Sequence, residues 1–210
     1  IWDGYTNARY RLSSWIKFSA QEGGLMRIVA IIPARMASSR FPGKPMAQIH
    51  GMPMIGHCYC RVRLCEELSD TYVATCDKEI FDYIESIGGK VVMTADTHER
   101  ASDRAAEAML KIEKQTGEKT DILVMVQGDE PMDTPQMVSE ALAPMLADES
   151  INVVNLVAQI SNAEEFEDPN TVKVVTDPAS NALYFSREPV PSRKKWSGDV
   201  PMQKQVCVIP

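Results

Sequence analysis

No apolar run in this sequence approaches the ~18 residues that a membrane span requires, and neither an internal repeat nor a low-complexity tract interrupts it. A basic balance is missing too. The formal net charge of −7 and pI ≈ 5.1 argue against a binder of nucleic-acid backbone, which needs a net basic field; a small, locally held anion is still allowed. No Walker A loop is present, because the G-x-x-x-x-G-K-S/T spacing never occurs. No zinc-type C-x-x-C pair occurs either. Cys58, Cys60 and Cys65 make a C-x-C-x-x-x-x-C pattern on an expected helix, where packing or free thiols account for them. With Cys76 and Cys207 the count is 5, an odd number in a chain large enough to fold without staples. That favours reduced thiols and a cytoplasmic address. His50 and His57 have no carboxylate or thiol at catalytic spacing and do not read as bases, and His98 is a candidate loop contact. The 12 methionines read as core filler.

What is present is one core's worth of hydrophobic residues: 210 residues at 44% hydrophobic content bury one sizeable core but hardly two. One domain is therefore the expectation, over residues 26–210. Residues 1–25 read differently, as a leader or extension: they are aromatic-rich and polar-interrupted, and carry no signal-peptide pattern. At the far end, Gln205 to Pro210 reads as a strand entered and then cut, so the sequence is expected to stop inside the fold. Between the ends, strands expected over Ile28 to Pro33, Tyr72 to Thr75, Val91 to Met93 and Ile122 to Val126 alternate with helices near Pro53 to Cys65, Glu79 to Ile87, Ser102 to Gln115 and Thr134 to Leu146. Later strands over Val153 to Ala158, Val172 to Thr176 and Leu183 to Ser186 have less helix between them, which predicts a mixed edge or hairpin. The class is α/β, a three-layer α/β/α arrangement with a mostly parallel mixed sheet.

Ligands of such sheets sit outside the carboxyl ends of the strands, and two post-strand segments stand out. The first is Pro33-Ala34-Arg35-Met36-Ala37-Ser38-Ser39-Arg40-Phe41-Pro42-Gly43-Lys44-Pro45. It joins three cations to small residues whose backbone N–H groups can approach an anion, with Gly and Pro stiffening the turn. Arg35 and Arg40 offer forked donors and Lys44 a movable point charge; an exposed basic turn is the plain alternative. The second is Gln127-Gly128-Asp129-Glu130-Pro131. A carboxylate there suits Mg²⁺, which takes one or two carboxylates plus substrate phosphates, with Asp129 the better ligand. The plain alternative is an acidic cluster ahead of the helix beginning at Thr134. Asp168 and Asp177 read most simply as caps or turns.

Together these segments resemble the CMP-Kdo synthetase (3-deoxy-manno-octulosonate cytidylyltransferase) family, whose fold is the Rossmann-like one of nucleotide-diphospho-sugar transferases. The likeness continues through Val91-Val92-Met93-Thr94 ahead of a loop with His98, Asn162-Ala163-Glu164-Glu165, Asp168-Pro169-Asn170 with Val172 to Val175, and Ala182 to Arg187. It spans Met26 to Pro210. The resemblance implies a nucleotidyltransferase of lipopolysaccharide precursor synthesis: CTP and a 2-keto-3-deoxy sugar acid of the Kdo type give a CMP-sugar and diphosphate, the anomeric hydroxyl attacking the α-phosphorus. It implies Mg²⁺ as cofactor and Arg35, Lys44 and Asp129 as the catalytic set, with Asp129 on the metal. Pro33, Ala34, Arg35, Ser38, Lys44 and Gln127 would bind nucleotide, with Ser102, Asp103 and Arg104 in the base and ribose pocket. Arg187 and Gln205 would meet the sugar. Tyr184 to Arg187 lies where the family forms homodimers.

Three departures qualify the likeness. Arg100-Ala101 stands where the family has S-G before T-D/E-R, adding positive charge that an acidic substrate could meet. Gln205 stands where many members have histidine, which keeps a modified Kdo open as substrate. The family's late D-x-P-E-D stretch, source of a second metal carboxylate, would lie beyond Pro210. A non-catalytic nucleotide-binding or dimerisation module, and a pyrophosphorylase using another base or sugar acid, are the alternatives.

Overall fold

Seven consecutive apolar or small residues, Ile28–Ala34, form β1, and every one of them is buried. Side chains alternate across a strand, so burial of the whole run means that both faces of β1 are covered. In the computed structural model, which describes residues 26–37, 41–192 and 202–206, two short strands, β2 (Gln48–Ile49) and β3 (Met52–Pro53), follow as a hairpin. Its turn places His50 and Gly51 at φ 49 and 82. Helix α1 (Met54–Val62) leads to β4 (Asp70–Thr75), α2 (Lys78–Ser86) to β5 (Lys90–Met93), α3 (Ala101–Thr116) to β6 (Ile122–Met125), and α4 (Pro135–Ala147) follows. The leader expected over 1–25 lies outside the described residues.

These elements make a four-stranded sheet of order β5-β4-β1-β6, parallel at all three pairings. The chain steps outward from β1 through β4 to β5, then returns to the other side of β1 for β6. Right-handed crossovers put connections running in opposite directions on opposite faces. Accordingly α3, the return connection, packs Ala105, Ala108 and Ile112 against Val29, Ile31, Ala74, Val92 and Met125. Ile28, Ala30 and Ile32 point the other way and are equally buried, on the face served by α1 and α2. Those two helices touch at Gly56, where an added Cβ would come within 2.2 Å of the Tyr83 hydroxyl. The expected three-layer α/β/α order is thus present, with element boundaries shifted by one to three residues from those expected.

Helix ends are set locally. Thr134 accepts the Met137 N–H at 3.3 Å and Pro135 opens α4, a side-chain cap followed by a residue that has no N–H to satisfy. Gly117, at φ 76, closes α3 and donates its N–H to the Glu113 carbonyl.

The later strands do not extend this sheet. They belong to a second compact unit within residues 155–206, separate from the one within 25–154. Its antiparallel sheet has the order β7-β10-β8-β9, with β7 at Val157–Gln159, β8 at Lys173–Thr176, β9 at Ala182–Ser186 and β10 at Gln203–Gln205. The expected strand from Val153 is confined to β7, because β10 is short and its pairing spans only Val157 to Gln159. Residues 207–210, expected to continue the last strand, lie outside the described residues. Between β7 and β8 runs α5 (Ala163–Glu167), where Asn162 accepts the Glu165 N–H at 2.8 Å. Lys173 is fully buried, yet its ammonium is satisfied by the Asp168, Thr171 and Arg187 carbonyls at 2.7, 2.9 and 2.7 Å. Asp168 and Asp177 accept backbone N–H groups of the residues just after them, as turn formers do.

Among the described residues no helix is long and apolar enough to cross a membrane, and Cys58, Cys60, Cys65 and Cys76 are free thiols. The α3 seam gives a test of the packing. Ile112→Ala, which empties a fully buried position, should cost about 2–5 kcal/mol in urea unfolding; a loss below about 1 kcal/mol would show that α3 is not anchored there.

Candidate functional site

The return from β5 to β6 makes the carboxyl ends of β1 and β6 a topological switch point, where the following loops diverge and leave a crevice. A cleft of about 270 Å³ opens there. Its floor is Pro33, Ala34, Arg35, Lys44 and Pro45 from the β1 side and Gln127, Gly128 and Asp129 from the β6 side. Its wall is His98, Glu99 and Arg100 before α3, with Ala101 and Arg104 from the first turn of α3.

The β1 loop is held by its backbone. Gly43 adopts φ 73 ahead of the 3-10 turn Lys44–Met46 and donates its N–H to the Met36 carbonyl at 3.0 Å, a conformation that side-chain-bearing residues reach only with strain. Met36 N–H is itself held by Asp77 Oδ2 at 2.8 Å. On the β6 side Gly128 is a close-approach glycine: a Cβ there would sit 2.7 Å from the Pro33 carbonyl oxygen. The two loops therefore touch. This contact brings Lys44 Nζ to 2.7 Å from Asp129 Oδ2, closing an ion pair between the two segments singled out in the sequence. Both side chains stay open to solvent, at 36% and 47% exposure.

The wall is clamped from α3. Arg104 is 2% exposed; its Nη1 donates to Thr94 Oγ1 and, at 3.1 Å, to the Ala95 carbonyl. Glu107, on the next turn and the same helix face, accepts the Ala95 N–H at 3.0 Å, a Lys111 Nζ–H at 2.6 Å and the His98 Nε2–H. An ionised carboxylate only accepts, which places the proton of that last bond on Nε2. Held first by Lys111, then by the Ala95 amide and His98, the Glu107 carboxyl falls from an ordinary 4.5 to about 2. The amide and carbonyl of Ala95 are thus fixed by two residues of one helix. Arg104 Nη2, by contrast, has no hydrogen-bond partner among the described residues, and the neighbouring Cys76 thiol gives its proton to Asp77 Oδ2. A buried guanidinium nitrogen left unsatisfied beside a cleft fits an anion that enters from solvent.

Asp129 is a hard, solvent-open oxygen ligand next to cations that suit phosphate, and this donor chemistry fits Mg²⁺. Among the described residues no three His, Cys, Asp or Glu side chains cluster for a metal. The remaining ligands would have to be phosphate oxygens and water. Cys58 offers nothing to a metal: burial first, then Asp133, pushes its thiol up to about 12.

Of the residues singled out in the sequence, Pro33, Ala34, Arg35, Lys44, Arg104, Gln127 and Asp129 share the cleft. Ser102 and Asp103 are exposed on the first turn of α3 and are not among its lining residues. Ser38 and Arg40 lie outside the described residues. Arg187 and Gln205 belong to the antiparallel unit, where Arg187 Nη1 donates to the Pro169 carbonyl at 2.9 Å and Gln205 Nε2 to Asn155 Oδ1 at 3.0 Å. His57 is spent on the Ile49 carbonyl at 2.9 Å. Sequence reading missed Glu107, whose partners come together only when α3 lies against the end of β5; its one-turn offset from Arg104 was the available signal.

A doubly wound α/β unit with a cationic, carboxylate-bearing cleft at its switch point has the fold and charge that a phosphorylated ligand would need. The model of the cytidylyltransferase family matches residues 29–206, and the chain belongs to that family. A 3-deoxy-manno-octulosonate cytidylyltransferase of Geobacter metallireducens is 47% identical over 173 residues, 82% of this chain and 66% of the relative. The protein of the same name from Geotalea daltonii is 44% identical over the same shares. This chain thus spans 66% of the length of these curated relatives. The solved structure of CMP:2-keto-3-deoxy-manno-octonic acid synthetase complexed with CTP matches with a TM-score of 0.76 at 38% identity, over 86% of this chain and 71% of that one.

Two substitutions probe how the cleft is held. Gly128→Ala should destabilise by about 1–3 kcal/mol in denaturant unfolding, the scale of overpacking, and an unchanged midpoint would show that the loops do not press together. Glu107 has a folded pKa below its unfolded one, so its stabilisation is complete above pH 4.5 and fades as pH falls towards about 2. Glu107→Gln should therefore melt below wild type at pH 7, with the gap narrowing as pH drops from 4.5. A gap independent of pH would refute the clamp.

Proposed function

We propose that this chain transfers the cytidylyl group of CTP to 3-deoxy-manno-octulosonate or a closely related 2-keto-3-deoxy sugar acid, yielding the CMP-sugar and diphosphate. The observation that carries this reading is the convergence of Arg35, Lys44, Arg104 and Asp129 on one cleft; the names of the relatives above support the choice of base and sugar. In the transfer, the anomeric hydroxyl oxygen forms a bond to the α-phosphorus and loses its proton to solvent, the α–β bridging P–O bond breaks, and diphosphate leaves with the electron pair. Such a reaction asks the protein for in-line positioning and for cations where negative charge gathers. Arg35 and Lys44 suit the phosphates, Arg104 Nη2 an oxygen at the wall, and Gln127 the nucleoside. Asp129 would hold Mg²⁺, which when bound supplies further neutralisation of phosphate charge.

The proposal extends to partners and place. Arg187 and Gln205 are assigned to the sugar acid on family resemblance. A homodimer is supported by β9, an edge strand whose Leu183, Tyr184 and Phe185 are 65%, 61% and 38% exposed. The unbridged thiols support a cytoplasmic address within lipopolysaccharide precursor synthesis.

The test is Mg²⁺-dependent diphosphate release from CTP and Kdo by protein made from the complete open reading frame. No release across a panel of 2-keto-3-deoxy sugar acids would overturn the reaction, and calorimetric preference for ATP or GTP over CTP would overturn the base. Arg35→Ala and Lys44→Ala should each weaken kcat/KM for CTP by about 1.5–3 kcal/mol, the scale of hydrogen bonds to charged groups. Asp129→Asn should lower kcat far more than it lowers the melting temperature; an unchanged rate would remove Asp129 from the mechanism.

A further inference from the structure

The ammonium of Lys44 lies 2.7 Å from Oδ2 of Asp129, the carboxylate a divalent ion at this cleft would use. The residues are 85 positions apart and come from loops after different strands, so the pair spans the cleft floor. The cleft-lining residues include two carboxylates, Asp129 and Glu99, and the described residues offer no further cluster to which a metal could shift. A divalent ion and an ammonium repel one another at a shared oxygen. Either can hold Asp129; both together are penalised. Lys44 is also free to leave. Its side chain is 36% exposed, it carries a point charge on a flexible stem, and a solvent-open ion pair is weakly held. A polyanion drawn in by Arg35 and the unsatisfied Arg104 Nη2 presents Lys44 with several negative charges in place of one.

We propose that Lys44 is an internal stand-in for the metal: it holds Asp129 in the free protein and transfers to the phosphates when nucleotide enters, so that nucleotide and divalent metal bind cooperatively while metal alone binds weakly. The role in phosphate transfer rests on the cytidylyltransferase reading; the competition for Asp129 does not. Linkage makes the coupling reciprocal, so it is measurable from the metal side without turnover.

The experiment titrates Mn²⁺, as a stand-in for Mg²⁺, into nucleotide-free protein and follows free Mn²⁺ by electron paramagnetic resonance. Lys44→Met should bind Mn²⁺ about fivefold or more tighter than wild type, the lower edge of ordinary coupling between sites. Lys44→Gln, a second neutral variant, should do the same, whereas Lys44→Arg, which keeps the charge, should not. Adding Asp129→Asn to Lys44→Met should abolish the gain. The inference is overturned if both neutral variants bind Mn²⁺ no more tightly than wild type, or if the gain survives Asp129→Asn. If the gain appears but CTP does not bind, the competition stands and the cytidylyltransferase reading falls; if CTP binds and no gain appears, only the stand-in role falls.

Discussion

Parallel hydrogen bonding on both edges of β1 is the constraint from which the rest of the 25–154 unit follows. A strand paired on each side and buried on each face leaves no room for polar side chains, which is why Ile28 to Ala34 is a continuous apolar run and not an alternating one. It also forces the connections onto opposite faces once the chain has doubled back, and the loops leaving β1 and β6 must part at the strand ends. The crevice is therefore a product of topology before any functional side chain is considered. Gly128 fits its floor because no Cβ can stand against the Pro33 carbonyl.

Electrostatics then fill that crevice against the trend of the whole molecule. With a formal charge of −7, the average surface repels a phosphorylated ligand, yet Arg35, Lys44, Arg100 and Arg104 all border the cleft. These cations are not equivalent. Lys44 is neutralised by Asp129, and Arg104 is buried with one nitrogen satisfied and one not. Arg35 and Arg100 are exposed. A graded set of this kind, from mobile and paired to rigid and unsatisfied, is suited to a ligand whose charges are strung along a chain. The wall that carries Arg104 is stiffened by Glu107, a carboxylate devoted to Lys111, the Ala95 amide and His98.

Much of this was legible in the residues. Apolar runs and helical spacing located the strands and helices of the 25–154 unit, because burial on one or two faces leaves a local trace in composition. The loop from Pro33 to Pro45 and the turn from Gln127 to Pro131 announced themselves by placing charge and glycine immediately after strands. The separate antiparallel sheet was less legible. β10 is Gln203–Gln205, a polar segment whose strand character comes from its partners β7 and β8 and not from its own pattern.

The sequence alone determined which chemistry is available: an α/β scaffold, an anion-suited loop and a carboxylate directly after a strand, all written in contiguous residues. Only the tertiary structure decided how those groups address one another. The crossover from β5 to β6 set Asp129 against Lys44, the docking of α3 left Arg104 Nη2 unsatisfied, and Glu107 became the keeper of the wall. Each of these relations joins atoms far apart along the chain, and no local pattern encodes a distance between residues that meet only after the sheet has formed.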